Sequence, residues 1–374
     1  MTQPNLFQPL SLRGLTLSNR VVVAPMCQYS AIDGIAQDWH LQHYGSFAAS
    51  GPGMIVIEAT GVSPEGRISP RCLGLHNEAT EAAFTHLVGA LKSFGASASR
   101  SAIAVQLGHA GRKGGAAPPW EGGKPAKDGW QTLSASDIPF DTDWPAPKAA
   151  TADDLARLKQ CFVDAAKRAL RVGFDAIELH SAHGYLLHQF LSPLSNRRTD
   201  SYGGSLDNRM RFPLEVVEAL RAAWPADKPL GIRISATDWV EGGWTPDEAV
   251  VYAKAFRAAG IDYVCVSSGG LVPYAKVPVA PGYQIELARR IRAEAQIPTR
   301  TVGLIVSPHQ AEAALADGAA DMVAIGRGFL DNPRWVWHAA EELGAEIAYP
   351  PQFMAVRGKI WPGATLARPR AAAE

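Results

Sequence analysis

Only four cysteines occur in 374 residues, Cys27, Cys72, Cys161 and Cys265, and none forms a Cys-x-x-Cys pair. That spacing argues against a disulfide framework or a thiolate zinc site and fits a reducing cytoplasm. No charge of either sign is in excess, since Lys plus Arg and Asp plus Glu are 36 each. Neither nucleic acid nor an anionic membrane is therefore expected as a partner, and the zero formal charge leaves room for self-association. No uncharged apolar stretch is long enough to span a bilayer. The start, Met1 to Phe7, lacks a basic segment followed by an apolar one, so no signal peptide is expected. No Gly-x-Gly-x-x-Gly follows the first apolar run, which weighs against a doubly wound dinucleotide-binding sheet.

What is present is a rhythm of short apolar runs, each followed by a helical pattern. The runs are Arg20–Met26, Met54–Thr60, Ala102–Leu107, Asp175–His180, Leu230–Ser235, Tyr263–Ser267, Thr299–Val302 and Met322–Ile325. Runs that are continuously apolar suggest parallel strands buried on both faces. The helices carry start signals: Thr245-Pro246-Asp247-Glu248 is a capping box with proline at the first position, Ser307-Pro308-His309-Gln310 repeats it with glutamine, and Thr151 opens a third. Gly173 and Gly260 close helices just before strands. Hydrophobic residues are 47% of the chain, enough for a sizeable core. Eight such units predict an α/β fold, a (β/α)8 TIM barrel over about 20–345. Segment 109–150, rich in Gly, Pro and Trp, reads as an excursion after strand three that covers the barrel mouth. An irregular tail follows from about 346 to 374, ending in Ala371-Ala372-Ala373-Glu374. All of 1–374 is read as one domain.

Active sites of such barrels lie at the C-terminal ends of the strands. Strand four ends in Leu179-His180-Ser181-Ala182-His183-Gly184-Tyr185, two imidazoles and a phenol around a glycine. Core strands rarely end in so much titratable chemistry for structural reasons alone. The histidine pair admits a metal site, a structural pair, or a clamp on a substrate oxygen; no third ligand is evident beside it. Tyr185 can be core packing or a proton donor. Strand one ends in Ala24-Pro25-Met26-Cys27-Gln28-Tyr29, where Cys27 can be an ordinary buried thiol or a cofactor contact, and Tyr29 is equally open. Strand two brings Ala59 and strand three Gln106. Arg233, inside strand five, needs a partner, either a bound anionic group or a salt bridge to Glu178. Gly303-Leu304 and Gly326-Arg327 stand after strands seven and eight, the usual phosphate site of this fold; tight turns alone would also explain the glycines. The tract Ser195–Arg209 reads as an ordered loop held by Arg–carboxylate pairs.

The chain resembles the Old Yellow Enzyme family of NADH:flavin oxidoreductases, and above all its bacterial xenobiotic-reductase or thermophilic-like ene-reductase branch. The likeness runs from Leu6-Phe7 to about Pro333. It is carried by His180-Ser181-Ala182-His183-Gly184-Tyr185-Leu186, by Gln189-Phe190-Leu191-Ser192-Pro193 and by the Asn196–Arg211 tract. Cys27 looks like this branch, since others usually have threonine there.

The resemblance implies non-covalent FMN at the barrel mouth. Ala24, Pro25, Met26, Cys27, Ala59, Gln106 and Arg233 are then the contacts of the isoalloxazine, with Gln106 on the pyrimidine edge and Arg233 near N1 and O2. Gly303, Leu304, Gly326 and Arg327 take the phosphate, and Cys27 tunes the flavin rather than acting as a nucleophile. NADPH or NADH reduces the flavin. The C=C bond of an α,β-unsaturated carbonyl or nitro compound is then reduced by hydride from N5, with His180 and His183 holding its oxygen, Tyr185 giving a proton and Tyr29 helping to bind. The physical logic stands without the family: two donors stabilise enolate-like charge, a phenol is general acid, and the cofactor carries the hard step. Reduction of nitro compounds or nitrate esters at the same site is the alternative, and a metal-dependent barrel hydrolase is the rival of a different class. A homodimer or homotetramer is expected. Two features depart from the pattern. The region Phe353–Pro362 matches poorly, leaving Arg357 and Trp361 as candidates for shaping an active site, this one or a neighbour's. Segment 113–131 is long, with Trp120 and Trp130 as candidate caps on the pocket.

Overall fold

The computed structural model describes residues 3–94 and 100–367; the alanine-rich end lies outside the described residues. Eight strands form the barrel, named here in order: β1 (Val21–Val23), β2 (Met54–Gly61), β3 (Ala102–Gly108), β4 (Ala176–Ser181), β5 (Leu230–Ser235), β6 (Tyr263–Ser267), β7 (Thr299–Thr301) and β8 (Met322–Ile325). All neighbours pair in parallel, and the ring closes through β8 to β1 and β5 to β6. The expected (β/α)8 barrel is the observed one. Strand one is shorter than its apolar run: Ala24 still bonds to Ile325 of β8, but Pro25 lacks an N–H and the chain leaves the sheet to line the mouth.

The pleat explains why these strands read as unbroken apolar runs. Val21, Val23, Ile55, Ile57, Ile103 and Val105 point outward into one large cluster with the helices. Val22, Met54, Val56, Ala104, Ala176 and Cys265 point inward to a second cluster inside the barrel. Each fully buried valine or isoleucine contributes roughly 1.5–3 kcal/mol. Leu12 and Leu17, from a hairpin of Leu10–Leu12 with Leu15–Leu17 that the periodicity did not announce, close the N-terminal end of this inner cluster.

The helix signals act where they were read. Thr151 and Thr245 each accept from the amide three residues on and complete capping boxes. Ser307 caps likewise, but Gln310 takes the amide of Val306 instead of closing the box. Gly173 ends its helix at φ +92°, a conformation that costs glycine little.

The excursion folds into short 3-10 turns and a two-residue parallel pair, Leu133–Ser134 with Lys148–Ala149. The Ser195–Arg209 tract fastens it: Arg198 pairs with Asp200 and donates to the carbonyls of Ala135 and Ala150, while Arg209 pairs with Glu248. Guanidinium-to-carbonyl bonds thus share the work with the expected ion pairs. The tail packs on Trp337 of the helix Trp335–Leu343 through Tyr349 and Phe353, and Arg357 lies 5.6 Å over Tyr349. Trp361 is exposed.

Candidate active site

β4 delivers His180 at its end, and the chain then turns sharply. His183 stands at φ +56° and Gly184 at φ +71°. A Cβ on Gly184 would lie 2.3 Å from the Gly270 carbonyl oxygen, and one on Gly270 would meet the His183 backbone at 2.8 Å. Two glycines therefore let the loops after β4 and β6 touch. The turn brings three rings together: His180 to His183 at 5.3 Å and His180 to Tyr185 at 4.9 Å, both edge to face.

The two imidazoles are not equivalent. Burial, then the nearby Arg233, hold both well below the ordinary histidine range, so both are neutral. His180 Nδ1 accepts the Ala182 N–H at 3.2 Å, which puts the ring proton on Nε2 as a free donor. His183 Nε2 is 2.8 Å from Ser267 Oγ, which in turn reaches Gln284. Tyr185 is held protonated: enclosure pushes its phenol up, Cys27 and Tyr29 add to this, and Arg233 opposes it.

Lys113, from the excursion, was not singled out by the sequence. Its Nζ donates to the carbonyls of His183 and Gly270, both at 2.9 Å, and lies 5.0 Å over the Tyr185 ring. Burial, then Arg112, lower it to about 7. The only signal for it was its place within Gly108-His109-Ala110-Gly111-Arg112-Lys113, just past a strand end.

On the other side of the mouth, Ala24 is buried and Pro25, Met26, Cys27 and Tyr29 are half-buried. Tyr29 meets Trp120 edge to face at 5.5 Å, so one expected cap reaches the site. Trp130 instead donates to the Glu65 carbonyl at 2.7 Å. Cys27, remote in sequence from Cys72, shares a hydrogen bond with it; that bond and burial raise the Cys27 thiol well above its usual range. A thiol so held is a poor nucleophile. A bulge in β2 sets Ala59 opposite Gln106 and turns Glu58 to the Tyr44 hydroxyl at 2.9 Å. A pocket beside them is lined by Ala59, Thr60, Gly108, His109, His180 and Tyr185.

Arg233 does not pair with Glu178, as one of its two readings required. Glu178 is taken by Arg300, fully buried on β7. Arg233 forms no ion pair among the described residues, and its buried Nε has no partner. An unpaired guanidinium at a barrel mouth is expensive unless an anionic or electron-rich group completes it. Gly303 sits at φ +111°, where a Cβ would meet Gln284 Nε2 at 2.6 Å. A Cβ on Gly326 would face only Met26 and Ala24 at 3.4 Å or more. Leu304 is also left-handed, and Arg327 is exposed at the start of the helix Arg327–Asp331. These groups fit a phosphorylated, electron-accepting ring.

Residues 5–346 match the NADH:flavin oxidoreductase / NADH oxidase family. The chain belongs to this family. It is an Old Yellow Enzyme homologue, an FMN-dependent NAD(P)H oxidoreductase. It is 47% identical to an NADPH dehydrogenase of Geobacillus thermodenitrificans (strain NG80-2), over 93% of this chain and 97% of that one. Among solved structures it resembles morphinone reductase, with TM-score 0.75 and 30% identity over 94% of this chain and 93% of that one. A 2-naphthoyl-CoA reductase complex gives TM-score 0.82 at 25% identity, covering 90% of this chain but only 52% of that one. Family membership replaces the metal-hydrolase reading. No helix among the described residues is long and apolar enough to cross a membrane.

Proposed function

We propose that this Old Yellow Enzyme homologue is an ene-reductase acting on activated C=C bonds of α,β-unsaturated carbonyl or nitro compounds. The observation that carries this reading is the cluster of His180, His183 and Tyr185: two neutral imidazoles and a protonated phenol at one strand end. FMN, held there, would supply the hydride-transfer chemistry between NAD(P)H and the alkene. Arg233, Gln106, Ala59 and the Ala24–Cys27 strap are its ring contacts in this reading, and Gly303, Leu304, Gly326 and Arg327 its phosphate contacts.

The chain's own residues do the rest. His180, with its proton on Nε2, donates to the carbonyl or nitro oxygen. His183 holds the same oxygen from the second side through Nδ1–H in the tautomer whose Nε2 accepts the Ser267 hydroxyl proton, which requires that hydroxyl to turn from Gln284 to the imidazole. Neutral donors in an enclosed pocket favour the negative charge that builds there as the alkene is reduced. Tyr185 then gives its proton to the α-carbon, and Lys113 keeps the His183 carbonyl and the Tyr185 ring in place. Tyr29, braced by Trp120, covers the substrate.

The test is an anaerobic spectrum of the purified holoenzyme. Flavin bands that bleach with NADPH and return with cyclohexenone support the reading; bands that bleach but do not return with enones or nitroalkenes remove it. A homodimer or homotetramer in the cytoplasm belongs to the same reading, and light scattering on the purified protein tests the assembly.

A further inference from the structure

Just below the mouth, the barrel interior holds charge where branched apolar side chains are usual. Glu178 on β4 and Arg300 on β7 form an ion pair with both side chains fully buried. The carboxylate is divided: Oε2 takes Arg300 Nη2, and Oε1 takes Gln106 Nε2 at 2.8 Å. The guanidinium also lies 5.3 Å over the Tyr263 ring and faces Cys265. Burial works against its charge, yet Cys265, Glu178 and Tyr263 outweigh it and hold Arg300 above the usual arginine range.

Such a pair is a weak source of stability, because desolvation offsets most of the attraction and an apolar pair of similar volume packs as well. Its clearer consequence is geometric and falls on Gln106. A carboxylate paired with a guanidinium only accepts hydrogen bonds, so it holds the NH2 end of an amide and repels the oxygen end. The Gln106 side chain therefore cannot flip. We propose that Arg300, acting through Glu178, is a positioning residue that locks the Gln106 amide so that its oxygen accepts the N3–H of the flavin pyrimidine. The inference rests on Gln106 being a cofactor residue.

The experiment follows the N3–H of 15N-labelled FMN bound to the protein by NMR, alongside FMN titration by fluorescence quenching. In the wild type, the N3–H should exchange far more slowly than in free FMN. The double variant Glu178→Met/Arg300→Met, which leaves no unpaired charge, should shift that signal upfield or lose it. Its FMN affinity should fall about tenfold, the worth of one hydrogen bond. Arg300→Lys, which keeps the charge, should retain the wild-type signal. An unchanged N3–H in the double variant overturns the inference. A wild-type N3–H that exchanges as fast as that of free FMN overturns it with no variant at all. A wild type that binds FMN normally but loses nothing on Gln106→Leu marks the failure of the Gln106 reading itself, and the lock falls with it.

Discussion

Replacing Tyr185 by phenylalanine removes one oxygen and keeps the ring. The edge contact with His180 at 4.9 Å and the Lys113 ammonium at 5.0 Å are preserved in kind. Stability should move by less than about 1 kcal/mol. A positioned general acid is worth about 100- to 10,000-fold, or roughly 3–5 kcal/mol of barrier. Because the Tyr185 phenol is pushed well above its ordinary value, it carries its proton throughout the neutral range. The wild-type alkene-reducing step should accordingly show no loss from this group between about pH 6 and about pH 9. Stopped-flow spectroscopy separates the two halves of turnover, bleaching by NADPH and reoxidation by cyclohexenone. Tyr185→Phe should slow only the second. Equal slowing of both halves would mean that Tyr185 shapes the pocket; no slowing of either would leave the proton to water.

Three further outcomes follow from the same geometry. Arg233→Met should weaken FMN binding about 10- to 100-fold, since a charge-assisted hydrogen bond is worth roughly 1.5–3 kcal/mol, and unchanged fluorescence quenching would exclude a ring contact. Gly184→Ala should lower the thermal midpoint and abolish phenol binding, because the Gly270 oxygen lies 2.3 Å from the added carbon; a variant that still binds phenol would show that the two loops can part. Glu58 is fully buried, and burial pushes its carboxyl up to about 7. A raised folded-state value means that the protonated form favours folding. Its contribution is complete below the unfolded value of about 4.3 and is lost as pH rises through about 7. Urea unfolding at about pH 5 and about pH 8 should therefore show Glu58→Gln losing less stability than wild type over that rise, by roughly 3 kcal/mol. Identical pH dependence in the two proteins would count against a titrating Glu58.

The sequence by itself determined whatever depends on near neighbours. A capping threonine meets an amide three residues away, so Thr151 and Thr245 marked their helices. Eight apolar runs with helices between them fit a closed ring, which leaves no open sheet edge and collects its strand ends at one mouth. His180, His183 and Tyr185, standing at one such strand end, are therefore legible in the sequence alone. Only the tertiary structure decided what crosses the ring. The sequence offered Arg233 as a partner for Glu178, and only closure of the barrel gave Glu178 Arg300 on β7 and left Arg233 without an ion pair among the described residues. The excursion alone could not reveal that Lys113 returns to the His183 carbonyl, nor could four scattered cysteines reveal that Cys27 meets Cys72. The physical reason is the range of the interactions: caps and pleats are set by bonds a few residues long, whereas a buried charge takes the partner that the fold brings within reach of it.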